Sequence, residues 1–138
     1  MSRQSITLLT LTITASGAIT ACRGVGHDGA QATTQGQKIV GVACTDAADT
    51  EGLSVDVKGT AVIESGATIA VGDSLIVDAS GRGIPVTGAL EVASGATPVT
   101  STAADGAVFT GADLPEFVFA DALQAAAGAG EFIEVLLR

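Results

Sequence analysis

Between Lys38 and Pro85, glycine-bearing turns recur roughly every eight to twelve residues, a spacing that leaves room between them for strands and little else. Ser65-Gly66, Gly72-Asp73 and Ala79-Ser80-Gly81-Arg82-Gly83 supply turn chemistry, because glycine reaches backbone conformations closed to other residues and Ser and Asp bond the neighbouring backbone. Leu53-Ser54-Val55-Asp56-Val57-Lys58 alternates between an apolar and a polar face, and Ile39 to Cys44, Thr60 to Glu64 and Ser74 to Asp78 read as further strands. Pro85 lacks the donor that an interior strand needs, so Ile84-Pro85-Val86 is expected at a sheet edge. The pattern predicts an all-β protein, a small antiparallel β-barrel or sandwich. Eighteen Gly and three Pro, with no long charged run, exclude a helical bundle and a disordered chain.

The first quarter of the chain differs from the rest. Leu9-Thr10-Leu11-Thr12-Ile13-Thr14 alternates with period two in residues that favour strands, so Ile6 to Thr14 reads as a strand, with a second expected from Ala18 to Val25. From Gly24 to Gln37 large apolar side chains are nearly absent, which predicts a mobile Gly-rich loop or hinge, or an arm draped over something else. Residues 1–37 are accordingly expected to form a strand or extended N-terminal β-arm with its hinge, and residues 38–138 the body. Two arrangements satisfy the pattern: the arm leaves its own subunit for a neighbour, or Ile6 to Thr14 is the first strand of the subunit's own barrel. Ile6, Leu9, Leu11 and Ile13, with the basic Arg3 and Arg23, are the candidate contact residues with a larger partner or a neighbouring subunit. A rival reading takes residues 1–22 as a lipoprotein leader ending at a lipidated Cys22, which would make the chain a lipid-anchored bacterial surface protein. The repeated threonines at 7, 10, 12 and 14 fit a strand better than an export helix.

Residues 87–112 form a low-complexity Thr/Ala/Gly/Ser excursion, with weak strands expected around Leu90 to Val92 and Val108-Phe109. Glu116 to Gln124 reads as a strand, with a helix begun at Asp113 and Pro115 as the alternative. Gly128-Ala129-Gly130 then turns into a last strand from Phe132 to Leu137. An internal echo is also visible: Ile39 to Val57 and Val118 to Leu137 each run from an apolar strand through an Ala-rich acidic turn to a second strand.

Charge and composition restrict function further. The net charge of −9 makes binding to a nucleic-acid backbone unfavourable, and no stretch reaches the roughly 18–20 apolar residues of a membrane span. Four Phe with no Trp or Tyr leave a thin aliphatic core, which favours burial against copies of the chain or a larger partner. The single His27 sits between Gly26 and Asp28 in the loop, with no nucleophile elbow nearby. Cys22 and Cys44 are too few for a zinc site and are expected free. Asp46, Asp49 and Glu51 crowd one turn without the spacing of a calcium loop and are expected solvated. No enzyme, cofactor or metal site is expected.

Val55 to Gly66, followed by Ile69-Ala70-Val71-Gly72-Asp73-Ser74-Leu75-Ile76-Val77-Asp78-Ala79-Ser80-Gly81, resembles the tailed-phage capsid decoration (cement) proteins, short acidic chains rich in Ala, Gly and Val. Phe119 to Ala126, Gly128 to Glu131 and Ile133 to Leu137 are similar to that family's closing pair of strands. The resemblance covers Ile39 to Arg138; the Thr-rich start and residues 87–112 depart from it. It implies a β-barrel or sandwich, commonly trimeric, that is made in the host cytoplasm and sits on the outer capsid surface of the virion, clamping neighbouring major capsid proteins. It implies no catalytic residues, no cofactor, no nucleic acid and no membrane.

Overall fold

The computed structural model describes residues 4–88 and 116–138. They form eight strands: β1 (Thr7–Thr14), β2 (Gly24–Gly26), β3 (Ile39–Ala43), β4 (Gly52–Glu64), β5 (Ser74–Val77), β6 (Gly83–Pro85), β7 (Ala120–Ala122) and β8 (Phe132–Leu137). All pairings are antiparallel, in the order β2-β3-β4-β8-β7-β5-β6, with β1 added to β4. The sheet curls almost into a barrel. Its two end strands are drawn together where the Gly24 N–H meets the Gly81 carbonyl at 2.7 Å and the Gly36 N–H meets Val77 at 2.8 Å. Pro85 lies in the edge strand β6, as its missing donor requires.

Three expectations change. Thr60 to Glu64 is the second half of the 13-residue β4 and not a separate strand. β4 runs unbroken through Gly59, beside which its register with β1 shifts between Thr7, Leu9 and Thr10; the φ of 106° and the close approach to Ile6 exclude any side chain there, since a Cβ would lie 2.3 Å from the Ile6 carbonyl oxygen. The second strand is shorter than Ala18 to Val25, because residues 15–23 form a loop stitched to the sheet by the Ile19–Ala47 bridge. Residues 24–37 pack against the body: Val25 and Ala32 are fully buried, small enough to lie where larger side chains would not fit. Residues 117–124 contain β7 and no helix. The strands expected around Leu90 and Val108 lie outside the described residues, although Glu116 accepts from the Thr87 and Gly88 N–H groups at 2.9 and 3.0 Å and so ties together the two described ends of that excursion.

The internal echo is structural and larger than the sequence indicated. The β1–β4 pairs Thr14↔Gly52, Ile13↔Leu53 and Leu11↔Val55 recur as the β4–β8 pairs Glu64↔Phe132, Ile63↔Ile133 and Ala61↔Val135, 50 positions on in one strand and 80 in the other. The Ile19–Ala47 bridge recurs as Ile69–Ala126, and the bond from Cys22 N–H to Ala43 recurs from Gly72 N–H to Ala122. Even the left-handed residues correspond: Cys22 (φ 60°) with Gly72 (90°), and Thr50 (69°) with Gly130 (88°). The described chain thus contains two units. The first is β1, β2, β3 and the front half of β4; the second is the rear half of β4, β5, β7 and β8.

Each unit has its own apolar cluster. In the first, Ile19, Val25, Ala43, Ala47, Leu53 and Val55 meet, with Ile13, Val40 and Val57 packed at the margin. Their counterparts Ile69, Leu75, Ala122, Ala126, Ile133 and Val135 meet in the second, joined by Ile63 and Leu137 and flanked by Phe119. Ile63 is wholly buried, whereas its counterpart Ile13 is only half-buried. Ile63→Ala is therefore expected to cost about 2–5 kcal/mol and Ile13→Ala clearly less, measured by denaturant unfolding.

Candidate functional site

β1 is the most exposed strand of the sheet, and its seating starts from local hydrogen bonds. The Ala15 N–H reaches Glu51 at 2.8 Å and the Thr60 N–H reaches Ile6 at 3.0 Å, fixing both ends of β1 to β4. Between them Asp56, only 6% exposed, accepts the Ser5 hydroxyl at 2.8 Å and the Thr10 hydroxyl at 3.0 Å. Burial by itself would raise the Asp56 pKa, but hydrogen bonds from Ser5, Cys44, Thr10 and Thr7 together outweigh it and hold the carboxyl below its ordinary value. The β-propensity of alternating Thr and Leu forms the strand, and one buried carboxylate reads its hydroxyls.

The opposite edge of β1 has no paired strand among the described residues. Strand alternation directs Ala15 toward β4, so the backbone groups of Thr10 and Thr12 and the Thr14 N–H face that open edge, while the Thr14 carbonyl lies against Gly29. Ile6, Leu8, Leu9 and Leu11 are 56, 80, 46 and 39% exposed, an apolar patch on a strand that carries no protective lysine. Residues 4–22 contain no charged side chain at all, in a protein of net charge −9. An acidic neighbour can approach this surface without repulsion.

The candidate contact residues separate accordingly. Ile6, Leu9 and Leu11 share the exposed strand, while Ile13 turns toward the first apolar cluster. Arg23 is held inside the molecule, donating to Glu64 at 2.6 and 2.9 Å and to the Ser80 carbonyl at 2.8 Å. Its role is to join the two units. Arg3 lies outside the described residues. Leu8, the most exposed residue of β1, was missed because the alternating motif starts one residue later; the Thr7-Leu8-Leu9 irregularity was the available signal.

Other sequence candidates have structural duties. Asp46, Asp49 and Glu51 accept from the backbone N–H groups of Ala21, Gly17 and Ala48, each at 2.8 Å, so the acidic turn caps backbone donors and is not merely solvated. Asp73 and Asp78 do the same at Ala70 and Ser80. His27 is exposed. Cys22 and Cys44 are free and line one cleft of about 340 Å³ beside Ser5, Thr7 and Asp56. Burial raises the Cys22 thiol, and burial with a hydrogen bond to Asp56 pushes Cys44 up to about 11. The backbone of Cys22 is engaged in the sheet through its bonds to Ala43 and Glu64.

Two measurements follow from this geometry. A depressed carboxylate contributes stability that is complete above its unfolded pKa of about 4 and disappears as the pH falls through its lower folded value. Asp56→Ala is thus expected to destabilise by about 1–3 kcal/mol at pH 7, with the gap to the parent protein narrowing in acid denaturation below about pH 4. The melting temperature of the parent protein is expected to be unchanged by a reducing agent, as free thiols require.

A family model described as phage cement protein matches residues 3–137. The fold is similar to that in the crystal structure of the head fiber gp8.5 N base of bacteriophage phi29, with a TM-score of 0.60 and 17% identity over 94% of this chain and 95% of that one. Among curated proteins none matches significantly.

Proposed function

The chain belongs to the phage cement protein family, and on that premise we propose that it binds the outer surface of a phage capsid and stabilises contacts between major capsid protein subunits. Membership makes it a structural, capsid-associated component of the virion. The finer reading assigns it no catalytic activity, synthesis in the host cytoplasm and assembly as a homo-oligomer, most simply a trimer.

The observation that carries this reading is β1: an uncharged strand with one open edge and four exposed aliphatic side chains, seated on its own body by a buried carboxylate. Such a strand offers main-chain groups for a neighbour to pair with and an apolar patch for it to cover, while the acidic body stays soluble at high local concentration. Ile6, Leu9 and Leu11 carry the contact in this reading, with Leu8 added and Ile13 and Arg23 supporting from within. The lipid-anchored alternative would need residues 1–22 as a leader ending at Cys22. Here residues 6–21 of that stretch supply β1 and the buried Ala15 and Ile19.

Co-sedimentation with capsids that lack the protein tests the proposal. The parent chain is expected to bind and to raise the temperature at which the capsids rupture. Leu9→Lys with Leu11→Lys is expected to weaken attachment at least about tenfold, as the loss of two buried aliphatic side chains implies, with an unchanged circular dichroism spectrum. Attachment as tight as that of the parent chain would remove β1 from the interface.

A further inference from the structure

The two units are not equally covered. Along the rear half of β4, Ala61 is 1% exposed and Ile63 is buried, and the second edge of the strand is occupied: the Glu64 N–H donates to the Cys22 carbonyl at 3.0 Å. The first unit supplies that cover through the turn at Ala21-Cys22, and Arg23 seals it on the Glu64 carboxylate. The corresponding strand of the first unit is β1. There Leu11, the counterpart of Ala61, is 39% exposed, and the Thr14 N–H, the counterpart of Glu64 N–H, faces the open edge.

The turn that would supply the missing cover exists in the second unit. Val71-Gly72 corresponds to Ala21-Cys22; Val71 is 67% exposed, Gly72 is exposed, and Phe132, 40% exposed, lines the same cleft. Among the described residues this turn has no third unit to cover. The charges also change in the appropriate way: Asp73 stands where Arg23 does, and Thr14, able to donate a hydroxyl, stands where Glu64 does.

We propose that β1 is covered by a second copy of this chain, whose second unit, through the Val71-Gly72 turn and Phe132, seats on β1 as the first unit seats on the second within each chain. This rests on the reading of β1 as a contact strand and names its partner. The contact joins two different surfaces, so it runs head to tail and not as a two-fold dimer, and a rotation that closes makes it a ring. A trimer would then present six similar units.

Light scattering coupled to size exclusion, with the full chain at about 100 µM, tests this directly. The parent protein is expected to run as a closed oligomer, and Leu11→Lys and Val71→Lys each as folded monomers, since both side chains are exposed. Mixing the two variants is the decisive step. One intact Leu11 surface and one intact Val71 surface remain between them, so the mixture is expected to yield dimers and nothing larger. A monomeric parent chain, Val71→Lys assembling like the parent, or a mixture that stays monomeric would each overturn the proposal. Capsid co-sedimentation is read separately: a parent chain that assembles into a ring but ignores capsids refutes the capsid reading alone, and a parent chain that binds capsids yet runs as a monomer refutes the ring alone.

Discussion

The structure depends on one strand serving two cores. β4 closes the first unit with Leu53 and Val55 and opens the second with Ala61 and Ile63, so both apolar clusters are nailed to the same backbone. Neither cluster is large, and among the described residues neither contains a buried aromatic side chain. At about 25 cal/mol per Å² their aliphatic contacts add up only if all are made together. Sharing β4 makes them interdependent, and the side-chain-free Gly59 is what lets the strand turn from one core to the other while Ile6 lies against it.

Polar chemistry in this protein, among the described residues, organises backbone. Its carboxylates repeatedly take N–H groups that turns leave unpaired, at Gly17, Ala21, Ala48, Ala70 and Ser80. Asp56 extends that habit to the hydroxyls of β1, and Glu64 to the guanidinium of Arg23. An acidic chain thereby gains order in loops too poor in apolar side chains to pack by themselves. The same use of acidic groups leaves residues 4–22 free of charge, which concentrates the approachable surface on β1. Cover for the second unit's first strand comes from the turn of the first unit, and among the described residues no turn does the same for β1.

Much of this was legible in the residues. Turn spacing and alternation were enough for an all-β antiparallel sheet, for Pro85 at an edge and for a closing strand at Phe132 to Leu137, because glycine placement and period-two burial are local constraints. The exposed β1 patch was partly legible too: Leu9 and Leu11 stood out as apolar positions on a Thr-rich strand. The echo of Ile39 to Val57 in Val118 to Leu137 was visible since both copies kept their apolar strand residues. Its first half was not, because Leu11, Thr12 and Thr14 are replaced by Ala61, Val62 and Glu64, which share a backbone position and almost no chemistry.

What the sequence by itself determined was the class of fold and the acidic character of the chain, both of which follow from residue type and near-neighbour spacing. Only the tertiary structure decided where the lone pieces went. It put Arg23 on Glu64, 41 positions away, and so turned an expected contact residue into an internal brace. It gathered Ser5, Thr10 and Cys44 on Asp56, and it packed the small residues of 24–37 against the sheet where a loop had been expected to move freely. Those outcomes depend on which distant backbones the curl of the sheet brings together, and no local pattern encodes the curl.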